Sequence, residues 1–556
     1  MSTAPVGQLS IALAQLNPTV GDLAGNLAKA LKAHEEATQN GADLIVFSEL
    51  FLPGYPPEDL VLKPAFASAS RAAAETLAQK TSGGPGIIIG TIWPEDGKVY
   101  NAAVLIDAGE IKAVRYKSDL PNYGVFDEKR VFEPGPLPGP VDFRGVRIGV
   151  PICEDIWNED VCECLAECGA ELLIVPNGSP FDWKKPDVRT NIAVARVNEN
   201  TLPMVYVNQL GGQDELVFDG ASFVLNSDAS LAAQLPAWSE SLVYTNWTRT
   251  DETWSCAATE RALLPEGDAA AYAGCVLGLR DYVNKNGFPG VVLGLSGGID
   301  SALVAAMAVD ALGADRVHCI MLPYRYTSDE SLSDAAACAK ALDVRYDTIA
   351  ISEPVEGFMN ALSELFAGQN SGVAEENIQS RTRGSILMAV SNKFGSMVVT
   401  TGNKSEMSVG YATLYGDMNG GYNPIKDLYK TEVYRIAGWR NENTVEGALG
   451  RKGIVIPTNI LTKAPTAELR ENQTDQDSLP EYDVLDDILT CLVEDELSLK
   501  EIVGRGHDVE TVKRVSRLLN IAEYKRRQAA PGVKISSRNF GRDRRYPITN
   551  RFVEPI

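Results

Sequence analysis

Eight residues, Leu295-Ser-Gly-Gly-Ile-Asp-Ser-Ala302, have the composition of an anion cradle. Two glycines let backbone approach a ligand closely, small hydroxyls offer donors, and the free amides of a following helix hold negative charge. The loop lacks the Gly-Lys-Ser/Thr ending of a Walker loop. A second constellation centres on Gly149-Val-Pro-Ile-Cys153-Glu-Asp-Ile-Trp157, which puts a thiol at a strand end before an expected helix. Such a position can lower a thiol pKa, but a nucleophilic cysteine still needs a base. The chain has three histidines, His34, His318 and His507, and none sits in a motif that suggests a Cys–His pair. Other strand ends carry candidate partners: Glu49 in Phe47-Ser-Glu49-Leu, and Lys117 in Tyr116-Lys117-Ser-Asp.

These groups need elements to hold them. In the first ~240 residues strands and helices alternate: Leu9–Gln15 strand-like, Leu23–Gln39 helical, Asp43–Phe47 a buried strand. Further strands are expected at Gly86–Ile92, Ala102–Ile106, Arg147–Val150, Leu172–Val175, Pro203–Asn208 and Ala221–Leu225. That density exceeds one helix per strand and implies a layered α/β sandwich. Pro- and Gly-rich loops such as Glu133–Pro140 separate the elements. A looser stretch, Leu235–Ala270, shows little periodicity and reads as a connector, dividing the chain into 1–240, 241–270 and 271–556. Beyond it, strands at Gly290–Leu295, Arg316–Leu322, Arg345–Ile351 and Ser396–Thr401 alternate with helices at Ser301–Leu312, Ser331–Leu342 and Ile378–Phe394. This pattern is that of a doubly wound parallel sheet.

The 556 residues exceed one core, and 45% hydrophobic with 22% charged residues describes a soluble globular chain. A net charge of −23 argues against non-specific nucleic-acid binding. Met1–Gln8 does not read as a signal peptide, and no apolar run approaches the ~20 residues of a membrane span. Nine cysteines without a regular framework fit a reducing compartment, so cytoplasmic location is expected. Cys162, Cys164 and Cys168 lack paired Cys-x-x-Cys knuckles and are expected to pack rather than bind metal.

The Ser296–Ser301 loop resembles the SGGxDS loop of the N-type ATP pyrophosphatases. Those enzymes grip ATP and transfer AMP to a substrate oxygen. Glu49, Lys117 and Cys153, in that order, resemble the triad of the nitrilase (carbon–nitrogen hydrolase) superfamily. The resemblance makes Glu49 the base, Cys153 the nucleophile and Lys117 the oxyanion stabiliser, and Glu128 in Phe126-Asp-Glu128 orients the lysine. It also implies an α-β-β-α sandwich for the N-terminal domain.

A nitrilase-type half joined to an ATP pyrophosphatase half resembles the glutamine-dependent NAD⁺ synthetase family. Val207–Gly220, Glu376–Arg381, Thr401–Glu406 and Tyr415–Lys426 also look like that family's elements. The resemblance implies that Tyr123, Ser179 and Lys185 hold glutamine, and that Gly294, Leu295, Ser296, Gly297, Gly298, Ile299, Asp300, Ser301 and Thr401 hold ATP. It further implies Asn377, Glu406 and Lys525 for deamido-NAD⁺, and Asp300 with Glu406 for Mg²⁺. Ammonia would then pass through a tunnel to the adenylated carboxylate, in a homo-oligomer, an octamer by resemblance, with no nucleic-acid or membrane partner. Two other readings stand beside it: an amidating ligase for another carboxylate, and a non-catalytic nucleotide-binding scaffold. From Lys525 to Arg551 nine Lys or Arg stand against one acidic residue, Asp543. That run is expected to cap nucleotide charge, with a solvated tail or RNA patch as the alternative. The turns around Asn419–Tyr422, Gly532 and Gly541 are expected to be mobile lids. Leu461–Leu469 also looks family-like, without an evident role.

Overall fold

The computed structural model describes residues 7–250, 253–259 and 261–555. They form two compact units: the chain through Gln213 with Val217–Pro265, and Asp214–Leu216 with Glu266 onward.

The first unit has two sheets. The first contains β1 (Gln8–Gln15), β2 (Leu44–Val46), β3 (Gly86–Glu95), β4 (Lys98–Asp107) and β5 (Glu110–Tyr116), with α1 (Leu23–Gln39) and α2 (Pro64–Lys80) between strands. The second contains β6 (Val141–Phe143), β7 (Val146–Gly149), β8 (Leu172–Asn177) and β9 (Met204–Asn208), with α3 (Asp160–Glu167) and α4 (Lys185–Asn200). A hairpin, β10 (Leu210–Gln213) and β11 (Leu216–Asp219), precedes β12 (Phe223–Leu225) and β13 (Leu231–Gln234), which complete the second sheet. Its order is β13-β12-β9-β8-β7-β6, with β7, β8 and β9 parallel.

Alternation decides the layers, since successive strand residues face opposite sides. Leu9, Ile11 and Leu13 of β1 meet Ile148, Ile174 and Val205 of the second sheet in one buried cluster. Ala12 and Ala14 face Ala30, Ala33 and Ala37 of α1 instead. These small side chains let the helix lie close to the sheet. Val161 and Leu165 of α3, with Ala193 and Val197 of α4, cover the outer face of the second sheet. The result is the expected α-β-β-α sandwich.

The expected connector is not one. Within it lie β14 (Ser241–Thr250) and β15 (Thr253–Cys256), and the first sheet runs β15-β14-β1-β2-β3-β4-β5. β14 pairs antiparallel with β1 along its whole length. It escapes a hydrophobic-run search because its apolar run Leu242-Val243-Tyr244 is short and only half-buried, and beyond it the residues are polar apart from Trp247, with only Thr245 and Trp247 of the strand buried. The residues joining the units are thus fewer than the sequence suggests. Met1–Gln8, read for a leader, lies mostly outside the described residues.

The second unit opens with α5 (Gly267–Lys285) and continues through β16 (Val291–Gly294), α6 (Ile299–Leu312), β17 (Val317–Met321), α7 (Asp329–Leu342) and β18 (Arg345–Thr348). Then come α8 (Ser352–Leu362), α9 (Val373–Phe394), β19 (Met397–Val398), α10 (Lys404–Val409) and α11 (Lys430–Glu442). The sheet is wholly parallel, in the order β18-β17-β16-β19. The winding direction reverses at β16, and ligand sites of open α/β sheets lie at such points. The loop after β16 is the predicted cradle. The strand expected at Ser396–Thr401 contracts to Met397–Val398, which leaves Thr401 on the loop beyond it.

Candidate active sites

In the first unit, three strand ends converge. Glu49 follows β2, Lys117 is the first residue after β5, and Cys153 opens the 3₁₀ turn Cys153–Ile156 after β7. Cys153 has φ +47°, a left-handed conformation that a side-chain-bearing residue adopts at a cost. Lys117 Nζ lies 2.7 Å from Glu49 Oε1 and 3.0 Å from both oxygens of Glu128, and all three residues are buried. Asn101 Nδ2 donates to Glu49 Oε1 at 2.7 Å, and Tyr55 Oη donates to Glu128 Oε1 at 2.9 Å. Burial acts to lower the Lys117 pKa, but Glu128 and Glu49 hold it well above the usual lysine value. Lys117 is therefore a fixed ammonium.

Cys153 behaves oppositely. Burial and the neighbouring Glu49 charge push the thiol pKa well up, against the Lys117 ammonium and the Gly178 backbone amide. At neutral pH it is a thiol, and attack requires removal of its proton. Glu49 Oε2 is buried without a hydrogen-bond partner and faces Gly178, where a Cβ would stand 2.9 Å away. A free carboxylate oxygen is thus held beside the same glycine that touches the sulfur.

The three residues expected to hold glutamine surround this centre. Tyr123 Oη donates to Glu154 at 3.0 Å, and Lys185 Nζ lies 4.5 Å from the Trp157 ring centroid. Ser179 is buried and its hydroxyl has no partner. Burial lowers the Lys185 pKa. Glu154, Asn101 and Tyr55 were not singled out by sequence. Glu154 could have been, since it adjoins the nucleophile. Of the three clustered cysteines, Cys162 is buried in the core against α4 and Cys168 is exposed.

In the second unit a cavity of about 610 Å³ brings together every residue expected there: Gly294 to Ser301, Asn377, Thr401, Glu406 and Lys525. Gly297 has φ +81°, and a Cβ on it would lie 2.4 Å from the Ser331 carbonyl oxygen. Only glycine fits. Ser296 N donates to Ser301 Oγ at 3.2 Å, and Ser301 Oγ donates to Gly298 O at 3.0 Å. The loop is therefore pre-shaped, with the N-terminus of α6 behind it.

Asp300 and Glu406 do not face each other across open space. Lys430, unnoticed in the sequence, lies between them, 2.5 Å from Asp300 Oδ2 and 3.2 Å from Glu406 Oε1. Burial pushes the Glu406 carboxyl up, to about 8, against the Lys430 charge. Asn377 Oδ1 accepts from Thr413 Oγ at 2.9 Å, and Lys525 Nζ donates to Gly410 O and Ala412 O, both at 2.7 Å. Arg383, also unnoticed, donates to Leu322 O and has no carboxylate within ion-pair distance among the described residues. The segment Leu461–Leu469 now has a place: Lys463 and Glu468 line the cavity, and Glu468 accepts from Ser328 and Ser331, both at 2.8 Å.

The basic run does not lie free over the cavity. Arg526 and Arg544 both pair with Glu523 at 2.7 Å, Lys534 pairs with Asp543, and only Lys525 of the run lines the cavity. Two of the turns expected to be lids are packed in this conformation. Tyr422 is fully buried, and a Cβ on Gly532 would meet Asn423 O at 2.2 Å. The charges of Arg526, Lys534 and Arg544 are spent on folding the tail.

The carbon–nitrogen hydrolase family matches residues 10–252, and the NAD synthase family matches residues 271–529. A glutamine-dependent NAD(+) synthetase of Rhodobacter capsulatus is 52% identical over 543 residues, 98% of each chain. One from Thermotoga maritima is 43% identical over 99% of this chain and 100% of its own. Among solved structures, glutamine-dependent NAD+ synthetase from Acinetobacter baumannii, in complex with ADP, superposes with a TM-score of 0.77 at 41% identity. That match covers 99% of this chain and 100% of that one. The chain belongs to the glutamine-dependent NAD⁺ synthetase family.

Proposed function

We propose that the chain is an ATP-dependent ligase that makes NAD⁺ from deamido-NAD⁺ with glutamine as nitrogen donor. The observation that carries the glutamine half is the buried Glu49–Lys117–Glu128 constellation beside Cys153. Glu49 Oε2 takes the thiol proton as sulfur attacks the amide carbon, and the Lys117 ammonium stabilises the charge growing on the carbonyl oxygen. Glu49 returns the proton to the departing nitrogen, so ammonia leaves and a glutamyl thioester remains. Water, deprotonated by Glu49, then releases glutamate and restores the thiol. Lys185 and Glu154 offer opposite charges suited to the carboxylate and ammonium of the free amino acid.

At the second site the Ser296–Ser301 loop and the α6 amides hold the polyphosphate. The nicotinate carboxylate attacks the α-phosphorus and pyrophosphate leaves. Ammonia then attacks the acyl carbon of that adenylate and AMP departs. Asp300 and Glu406 supply hard oxygen donors of the kind Mg²⁺ takes. No group of three or more His, Cys, Asp or Glu placed to hold a metal ion occurs among the described residues, so phosphate oxygens and water would complete the shell. The ion would neutralise phosphate charge. Ammonia passes from the first reaction to the second without loss to solvent.

The test is protein with deamido-NAD⁺, ATP, Mg²⁺ and either glutamine or ammonium, with NAD⁺ and AMP quantified by mass spectrometry. NAD⁺ from both nitrogen sources is expected, and Cys153→Ala loses only the glutamine route. Folded protein that splits glutamine yet makes no NAD⁺ from either source would overturn the choice of acceptor.

A further inference from the structure

We infer that Asp155 is a positioning residue of the glutamine-splitting centre, tying the Lys117 loop directly to the Cys153 turn. This rests on the roles proposed above for Cys153 and Lys117. The Asp155 carboxylate is fully buried and pairs with no cation among the described residues. Both of its oxygens are spent on backbone amides. Oδ1 accepts from Ser118 N at 2.9 Å and Asp119 N at 2.8 Å, and Oδ2 accepts from Ile152 N at 2.9 Å. The first two amides immediately follow Lys117. The third immediately precedes Cys153.

The two segments come from different sheets. Lys117 follows β5, the edge strand of the first sheet, and Ile152 follows β7 of the second. Between the sheets lies an apolar cluster. Apolar contact sets a spacing but has no direction, so it leaves room for sliding. Hydrogen bonds are directional. Asp155 supplies three of them at the level of the reacting groups, two to one segment and one to the other.

The residue type supports this over a generic cap. Burying an unpaired carboxylate is costly, and one local N–H could be satisfied by Ser or Asn. Only a carboxylate offers two acceptor oxygens and no donor. Asparagine would keep Oδ1 for Ser118 and Asp119 but turn an NH₂ toward the Ile152 amide.

The experiment uses the full chain with Asp155→Ala, Asp155→Asn and Cys153→Ala. Three quantities are read: glutamine-driven and ammonium-driven NAD⁺ formation, and the rate at which a diazoketone analogue of glutamine alkylates Cys153. Asp155→Ala is expected to lower glutamine-driven kcat about a hundredfold, the scale of ~1 Å misplacement of reacting groups. KM for glutamine changes little, thiol alkylation slows in parallel, and ammonium-driven synthesis stays at the wild-type rate. Asp155→Asn falls between. Wild-type kcat and alkylation in folded Asp155→Ala overturn the proposal. If Asp155→Ala does not fold, Asp155→Asn decides: wild-type behaviour in it overturns the proposal, and a glutamine-specific kcat loss supports it. Glutamine-driven turnover surviving in Cys153→Ala would instead sink the underlying reading, whatever Asp155 does.

Discussion

Lys430 Nζ stands 2.5 Å from Asp300 Oδ2 and 3.2 Å from Glu406 Oε1, so an ammonium already joins the two carboxylates expected to hold Mg²⁺. Asn403 Nδ2 donates to the other Asp300 oxygen at 2.9 Å. A divalent ion taking both carboxylates must displace or repel that lysine. A unit charge ~4 Å away is worth roughly 1–4 kcal/mol, depending on local screening. Without nucleotide, wild-type protein is therefore expected to bind free Mn²⁺ weakly. Lys430→Met should bind one ion tighter by about tenfold or more. Electron paramagnetic titration of Mn²⁺ reads this directly, and equal affinity in both proteins would show that Lys430 does not guard the site.

Arg383 lines the cavity with no carboxylate within ion-pair distance among the described residues. Burial lowers its pKa to about 10, with the more distant Glu468 and Asp417 acting the other way. A half-buried guanidinium with one carbonyl partner can accept a ligand anion, and hydrogen bonds to charged groups are worth about 1.5–3 kcal/mol. Arg383→Met should raise KM for ATP or deamido-NAD⁺ about ten- to hundredfold. Lysine, lacking the planar fork, should not restore it. Initial rates with ammonium as nitrogen source isolate the effect, and unchanged KM for both substrates would assign Arg383 to structure alone.

What the sequence makes legible follows a physical rule. Glu49, Lys117 and Cys153 each sit at a strand end, and Gly297 and Gly298 in a strand–turn–helix, so local chemistry reveals them. Lys430 and Arg383 belong to the helices α11 and α9, and only tertiary packing turns their side chains into the cavity. Asp155 is one of two adjacent acidic residues after Cys153, and nothing local says that its carboxylate points inward. β14 hides because its apolar residues are few: after Leu242-Val243-Tyr244 only Trp247 breaks a polar stretch. The basic tail misleads for the same reason: a count of charges does not show Glu523 and Asp543 waiting to absorb them.

Arg440 and Asp310 give a stability prediction away from the chemistry. Both are fully buried, joined at 2.5 and 2.9 Å, and Tyr272 Oη adds a bond to Asp310 at 2.6 Å. Removing one partner leaves a buried, uncompensated charge, a loss of about 3–5 kcal/mol. Arg440→Met should lower the unfolding transition of the second unit. Thiol alkylation at Cys153 in the other unit should be untouched at temperatures below it. Calorimetry would show the shift, and a transition at the wild-type temperature would mean that the pair contributes nothing net.

Asp155 also yields a pH prediction in which stability and activity run in opposite directions. Burial pushes its carboxyl up to about 7, against the amides of Asp119, Ile152 and Ser118 and the Lys117 charge. Cys162 is another titratable group close enough to interact with it. The folded pKa lies above the unfolded value of about 3.9. Between the two, the folded protein binds the proton more tightly, so the charged form costs stability as pH rises toward 7. Activity needs that charged form, since only a carboxylate accepts all three amides without offering a donor. Alkylation of Cys153 by the glutamine analogue should therefore slow as pH falls through about 7, while thermal stability does not fall with it. Asp155→Asn, with nothing to titrate, should lack this limb. A limb of the same midpoint in the asparagine variant would place the titrating group elsewhere.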